Sequence, residues 1–287
     1  MSNDKKLEII IINYNSLFWI EKALTSLYKH YIPYSKYNVT VTIVDNASTD
    51  NFVQMIENKY PQIKIIKSSK NLGFSAGNNL ALKKSTADYV MLLNPDTELT
   101  EKSKNIDTLI DMLEKDKNIG IITPKIVSGE GELDKGCHRG KTSLFDGLLY
   151  FCGFEKIFPK IKFFTQYHLL YKDLNTIHTV DAVSGACFIT KLKYFKDVGF
   201  FDERYFMYSE DMDLCMTYGQ KGYEIMYNPT VEIIHYKYKS EMKNKKNRRK
   251  YLYNSFLVYY DKWYRDKFYY RILRPFIFIF LKTAGIF

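Results

Sequence analysis

The chain has 287 residues, 46% of them hydrophobic and 16% aromatic, with 42 lysines and arginines against 32 aspartates and glutamates. That length holds one large domain with an extension, or two small ones, around a substantial core. The excess charge sits at one end: residues 237–287 carry 14 basic side chains against 3 acidic, the rest 28 against 29, which excludes a uniformly basic nucleic-acid binder.

The start, MSNDKKLEIIIIN, has charges before an apolar run too short for a secretory signal, and residues 7–13 read as a buried first strand. Residues 16–30 follow as a helix, with Leu17, Ile20, Leu24 and Leu27 at helical spacing. Residues 38–46 are a β-branched strand, 48–60 a helix capped by Ser48, 62–68 a strand, 73–85 a helix and 88–94 a fourth strand. Continuous apolar strands alternating with amphipathic helices predict a Rossmann-like α/β fold, a mostly parallel sheet covered on both faces. In such sheets ligands bind beyond the carboxyl ends of the strands. The polar residues there are Asn13, Tyr14 and Asn15, then Asp45 and Asn46, then Asn71 and Gly73, then Asn94 and Asp96.

Residues 137–178 are rich in aromatics without a clean period and read as a mobile or partner-facing insertion. TVDAVSGACFITK is strand-like but broken at Ser184 and Gly185, where a small residue lets a ligand approach the backbone. Residues 224–240 read as two short strands with His235 ending the second, and no internal repeat is present. The four cysteines, Cys137, Cys152, Cys187 and Cys215, have no CxxC or zinc spacing, which speaks against a disulfide framework and for a reducing cytoplasm. No segment reaches the ~18 apolar residues of a membrane span.

The stretch YFMYSEDMDLC, 205–215, gathers three acids at a helix start that Ser209 is placed to cap. At about 100° per residue, Glu210, Asp213, Thr217 and Lys221 share a polar face, whereas Asp211 falls on the stripe of Leu214, Cys215 and Tyr218. An acid aimed inward is costly unless paired, coordinated or catalytic.

Taken in order, VDNASTD (44–50), NLGFSAGNN (71–79), LLNPDTEL (92–99), VSGACFITK (183–191), FDERYFMYSEDMDLC (201–215) and the later His235 resemble the inverting family 2 glycosyltransferases of the GT-A fold, especially their bacterial rhamnosyltransferase-like branch. The likeness covers about 7–238, so residues 1–238 are expected to form the catalytic domain and 239–287 a basic amphipathic helical extension. It implies transfer of a sugar with inversion from a dTDP- or UDP-sugar, dTDP-rhamnose first, to a saccharide acceptor, aided by Mn²⁺ or Mg²⁺. It also implies that Tyr14, Asn15, Asp45, Asn46, Asn71, Gly73, Asn78, Asn94, Asp96, Gly185 and Ala186 surround the donor, and that Asp96 and His235 hold the metal. The family's Asp-x-Asp has Asn94 in its first place here. Of the acid pair, Asp211 is the expected base and Glu210 the runner-up, while Phe201, Tyr205, Phe206 and Tyr208 divide between core and acceptor stacking.

In the tail, KFYYRILRPFIFIFL (267–281) puts Phe268, Tyr269, Ile272, Leu273 and Phe276 on one side and Lys267, Arg271 and Arg274 on the other, below KNKKNRRK (243–250). This reads as a membrane-surface anchor, interrupted at Pro275, suiting a lipid-linked acceptor and a peripheral place at the inner face of the cell membrane. A homodimer is compatible with it. Nucleic-acid binding by the tail would leave all six motifs unexplained. A nucleotidyltransferase would need a Gly-rich phosphate loop where NYNSLFW stands, and a non-catalytic sugar-nucleotide module would not need Asp211.

Overall fold

A computed structural model describes residues 4–237 and 245–283. Its first half alternates as the periodicity predicts: β1 (Lys6–Asn13), α1 (Leu17–His30), β2 (Asn38–Asp45), α2 (Phe52–Lys59), β3 (Lys64–Lys67), α3 (Gly73–Leu82) and β4 (Tyr89–Leu93). Leu7, Ile9, Ile10 and Ile11 are all buried, so both faces of β1 are covered and no polar alternation is possible. β1 pairs parallel with β2 and β4, and β2 pairs parallel with β3.

The second half departs from simple winding. After β5 (Thr97–Leu99), α4 (Asp107–Lys115) and β6 (Ile119–Val127) come α5 (Leu144–Phe151), α6 (Phe154–Ile157), β7 (His178–Val180), β8 (Cys187–Lys191), α7 (Leu192–Asp197), α8 (Glu210–Gln220), β9 (Glu224–His235), α9 (Lys245–Tyr264) and α10 (Phe268–Thr283). Among the described residues the strands form one mixed sheet, in the order β3-β2-β1-β4-β8-β6-β9-β5, with β7 beside β9. β8 runs antiparallel to β4 and β6.

Four expectations change. Residues 224–235 are one strand, not two; an irregular register opposite Pro124 and Lys125 of β6 absorbs the Asn-Pro-Thr break. The second helix starts at Phe52 with Asn51 at its cap position, while the Ser48 hydroxyl instead joins β2 to β1, donated to by Asn13 Nδ2 at 3.1 Å and Asn15 N at 3.0 Å. The 137–178 segment carries two short helices tied by ring contacts such as Tyr150 on Tyr167, centroids 4.8 Å apart. α10 runs through Pro275, at the loss of one helical hydrogen bond.

Candidate active site

A cleft of about 400 Å³ opens at the carboxyl ends of the parallel strands. It brings together Tyr14, Asn46, Asn71, Gly73, Asn94, Asp96, Gly185, Ala186, Glu210, Asp211 and His235, drawn from most of the chain. Asn15, Asp45 and Asn78 do not line it. The Asn15 carboxamide accepts from Thr49 N, Asp45 Oδ1 accepts from Ser48 N at 3.0 Å in the turn after β2, and Asn78 donates to Phe74 O one helical turn back.

The first wall is the loop into α3. Gly73 has φ +77°, and a Cβ there would lie 2.2 Å from Phe206 O, so only glycine fits. Asn71 Oδ1 accepts from Gly73 N, Asn46 Nδ2 donates to Gly73 O at 2.9 Å, and Phe74 N donates to Phe206 O at 2.7 Å. NLGF is thereby clamped to the aromatic run before α8. Phe206 and Tyr208 line the cleft, whereas Phe201 and Tyr205 belong to the core.

On the floor, β4 ends in the turn Asn94-Pro95-Asp96-Thr97, closed by Thr97 Oγ1 donating to Asn94 O at 2.7 Å. Thr97 pairs with His235 across β5 and β9, and Tyr236 N donates to Asp96 O. This register sets His235 Nε2 3.3 Å from Asp96 Oδ1, while Nδ1 reaches Asp134 Oδ2 at 3.1 Å. Burial opposes charge on His235, yet hydrogen bonds to Asp134 and Asp96 hold the imidazole up at about 9. Facing one another, the Asp96 carboxylate and the protonated ring form an ion pair; once the ring gives up its Nε2 proton, the carboxylate oxygen and the imidazole nitrogen are a donor pair that suits a borderline divalent ion. Among the described residues no group of three or more His, Cys, Asp or Glu converges as a closed cage.

The acid pair sits differently from the helical-wheel expectation. Asp211 Oδ2 accepts from Arg139 Nη2 at 2.6 Å and Gly185 N at 3.3 Å, and Oδ1 accepts from Met212 N. Arg139 also donates to Val183 O. Glu210, assigned to the polar face, is 7% exposed, and its Oε2 has no hydrogen-bond partner among the described residues. Burial, and then the Asp211 charge beside it, push the Glu210 carboxyl up to about 8. The desolvation expected at Asp211 therefore falls on its neighbour. Asp213, also assigned outward, is buried and accepts from Trp263 Nε1 and Lys262 Nζ, both at 2.8 Å. Asp213 is thus covered by side chains of α9, which no local pattern could signal. Ser209 stands at the cap position in the left-handed region, φ 63°, and its hydroxyl makes no cap bond.

Three contributions escaped the sequence reading: Arg139, Asp134 and α9 itself, whose Arg248, Leu252 and Phe256 line the cleft. Arg139 is the one with a visible signal, a His-Arg-Gly polar interruption opening the aromatic segment. α9 packs on the catalytic half, with Tyr259 fully buried and Ser255 Oγ donating to Met207 O.

A family model described as Glycosyl transferase family 2 matches residues 8–197, and one described as Glycosyl transferase family group 2 matches 159–285. The chain is 27% identical over 242 residues to an N-acetylglucosaminyl-diphospho-decaprenol L-rhamnosyltransferase of Mycobacterium tuberculosis, covering 80% of this chain and 76% of that one. It is 27% identical over 239 residues to rhamnosyltransferase WbbL of Escherichia coli, covering 79% and 82%. Among solved structures it is similar to GalNAc-T7 with UDP, GalNAc and Mn²⁺, at TM-score 0.67 and 14% identity, over 96% of this chain and 51% of that one. It is also similar to Staphylococcus aureus TarS 1–349, at TM-score 0.55 and 18% identity, over 91% and 73%.

Proposed function

This chain belongs to glycosyl transferase family 2 and has the GT-A fold, and from that premise we propose that it moves L-rhamnose, with inversion, from dTDP-rhamnose to a hydroxyl of a lipid-linked saccharide in bacterial cell-surface polysaccharide synthesis. The observation that carries this reading is the cleft itself: a carboxylate–imidazole pair at the sheet's carboxyl edge and an acid pair at the start of α8 share one cavity with the loop into α3.

In this mechanism the Gly73 loop, Asn46 and Tyr14 border the nucleoside, and Gly185 and Ala186 are the small-residue wall beside the sugar, with the Phe74 ring packed where a Gly185 side chain would stand. Asp96 and His235 are the residues that would hold a divalent ion, Mn²⁺ or Mg²⁺, and such an ion would neutralise the diphosphate's charge. Asp134 on the far nitrogen of His235 fixes the ring. Asp211 takes the acceptor's proton as its oxygen bonds to the anomeric carbon, and the bond to the diphosphate breaks with its electron pair leaving on that group. Arg139 and Gly185 N orient Asp211. Glu210, with its raised pKa, carries a proton at neutral pH and orients the acceptor. The exposed apolar side of α10, Phe268, Ile272, Leu273 and Phe276, rests on the inner face of the cell membrane, where a lipid-linked acceptor lies; no helix among the described residues is long and apolar enough to cross it.

The test is a screen of nucleotide sugars with and without Mn²⁺, read by thermal stabilisation and by release of the diphosphate. Response to dTDP-rhamnose is expected. Tight binding of a GDP-sugar with none of dTDP- or UDP-sugars would overturn the donor assignment.

A further inference from the structure

Residues 156–163, Lys-Ile-Phe-Pro-Lys-Ile-Lys-Phe, are all exposed. Ile157 is 66% accessible, Phe163 58% and Ile161 47%, in a chain where most large apolar side chains are buried. A soluble surface seldom leaves such a continuous run uncovered.

The run is held in place. Phe164 stacks on Phe154 and Phe158 at 5.5 and 4.9 Å and meets Phe163 edge-on at 5.1 Å, and Phe163 meets Phe145 of α5 at 5.8 Å. Its neighbouring acid, Glu155, is turned inward, 1% exposed and bound to His168 at 2.9 Å. The outward charge of the run therefore comes only from Lys156, Lys160 and Lys162. Exposed apolar and aromatic side chains alternating with lysines, and no outward acid, match the headgroup layer of an anionic bilayer. They do not match a second copy of the same surface, since a twofold contact would set three lysines against three.

The same turn of α9 carries both this region and α10. Thr142 Oγ1 and Tyr259 OH are hydrogen-bonded at 2.5 Å, and Gly147 of α5 sits against Tyr260. Tyr270 of α10 packs its ring on Tyr260, and Arg274 pairs with Asp261.

We propose that residues 154–163 are a membrane-contact element distinct from α10: Ile157, Phe158, Ile161 and Phe163 enter the headgroup layer, and the three lysines pair with lipid phosphates. The inference goes beyond the reaction proposed above, and its test reads lipid binding rather than turnover, so either can fail alone.

The experiment sediments the full chain with vesicles of phosphatidylcholine mixed with phosphatidylglycerol, and of phosphatidylcholine alone. The Ile157→Ser/Ile161→Ser/Phe163→Ser variant should bind mixed vesicles ~10-fold more weakly or worse. Lys156→Gln/Lys160→Gln/Lys162→Gln, which keeps every apolar side chain of the run and gives up only the contact of Lys162 Nζ with the Tyr171 ring, 5.2 Å from its centroid, should lose most of the preference for phosphatidylglycerol and the salt dependence with it. Unchanged vesicle binding in both variants would overturn the proposal. So would a wild-type dimer in solution that the serine variant converts to monomer without changing lipid affinity, because the run would then be an interface between copies. If the serine variant melts early, the glutamine variant decides: retained phosphatidylglycerol preference rejects the element.

Discussion

Replacing Asp211 by Asn removes the charge opposite Arg139 while keeping the side chain's shape. The ion pair spans 2.6 Å, and the two side chains are only 12% and 15% accessible. Removing one partner of a buried pair costs about 3–5 kcal/mol. The lower end applies here, because the guanidinium keeps its bond to Val183 O and the site opens to a cleft. The rate effect is separate: losing a positioned base lowers turnover by ~10² or more, equivalent to about 2.7 kcal/mol of barrier. Donor affinity should hold, since Asp211 acts on the acceptor. Glu210→Gln should be milder at neutral pH, because the carboxyl it replaces is protonated there and an amide takes its place.

A pH signature accompanies the pair. A carboxyl raised from its ordinary value to about 8 in the folded state binds more protons folded than unfolded between those limits. Its contribution to stability is therefore full below about pH 4.5 and is lost as the pH rises through 8. Wild-type melting temperature should fall over that window by a component absent from Glu210→Gln. The assay is single-turnover kinetics, donor affinity by calorimetry and melting across pH for both variants. A near-normal rate in Asp211→Asn with collapse in Glu210→Gln reverses the roles. Near-normal rates in both remove the acid pair from the chemistry.

Asp96→Ala should abolish most metal-dependent turnover with the fold retained, checked by activity against Mn²⁺ concentration alongside circular dichroism; an unchanged rate would leave Asp96 a turn residue. Gly73→Ala forces a Cβ to within 2.2 Å of Phe206 O at φ +77°, and should lower stability by at least ~1 kcal/mol and weaken nucleotide binding. Normal melting and normal dTDP affinity would contradict the clamp between the loop and the aromatic run. Phe268→Ser/Ile272→Ser/Phe276→Ser in α10 should weaken binding to anionic vesicles while leaving turnover of a soluble acceptor within about twofold. Loss of turnover or of solubility would place that face against protein.

Local pattern alone determined the first four parallel strands, because Leu7, Ile9, Ile10 and Ile11 leave β1 no polar face and helical spacing in α1 leaves its buried stripe no alternative. The strand-end polar residues were legible for the same reason: a parallel sheet turns its carboxyl ends to one edge, so Asn46, Asn71 and Asp96 meet however the remainder is arranged. What the pattern could not decide was anything set by a partner distant in sequence. Glu210 and Asp213 lie on the polar face of an isolated α8, and only α9, some 50 residues onward, reaches Asp213 there with Lys262 and Trp263, while Glu210 is turned to the cleft. Arg139 reaches Asp211 across 72 positions, and Asp134 reaches His235 across 101. Which acid is desolvated and which is paired follows from those contacts, because a carboxyl's pKa is fixed by the charges and solvent packed around it and not by its place on a helical wheel.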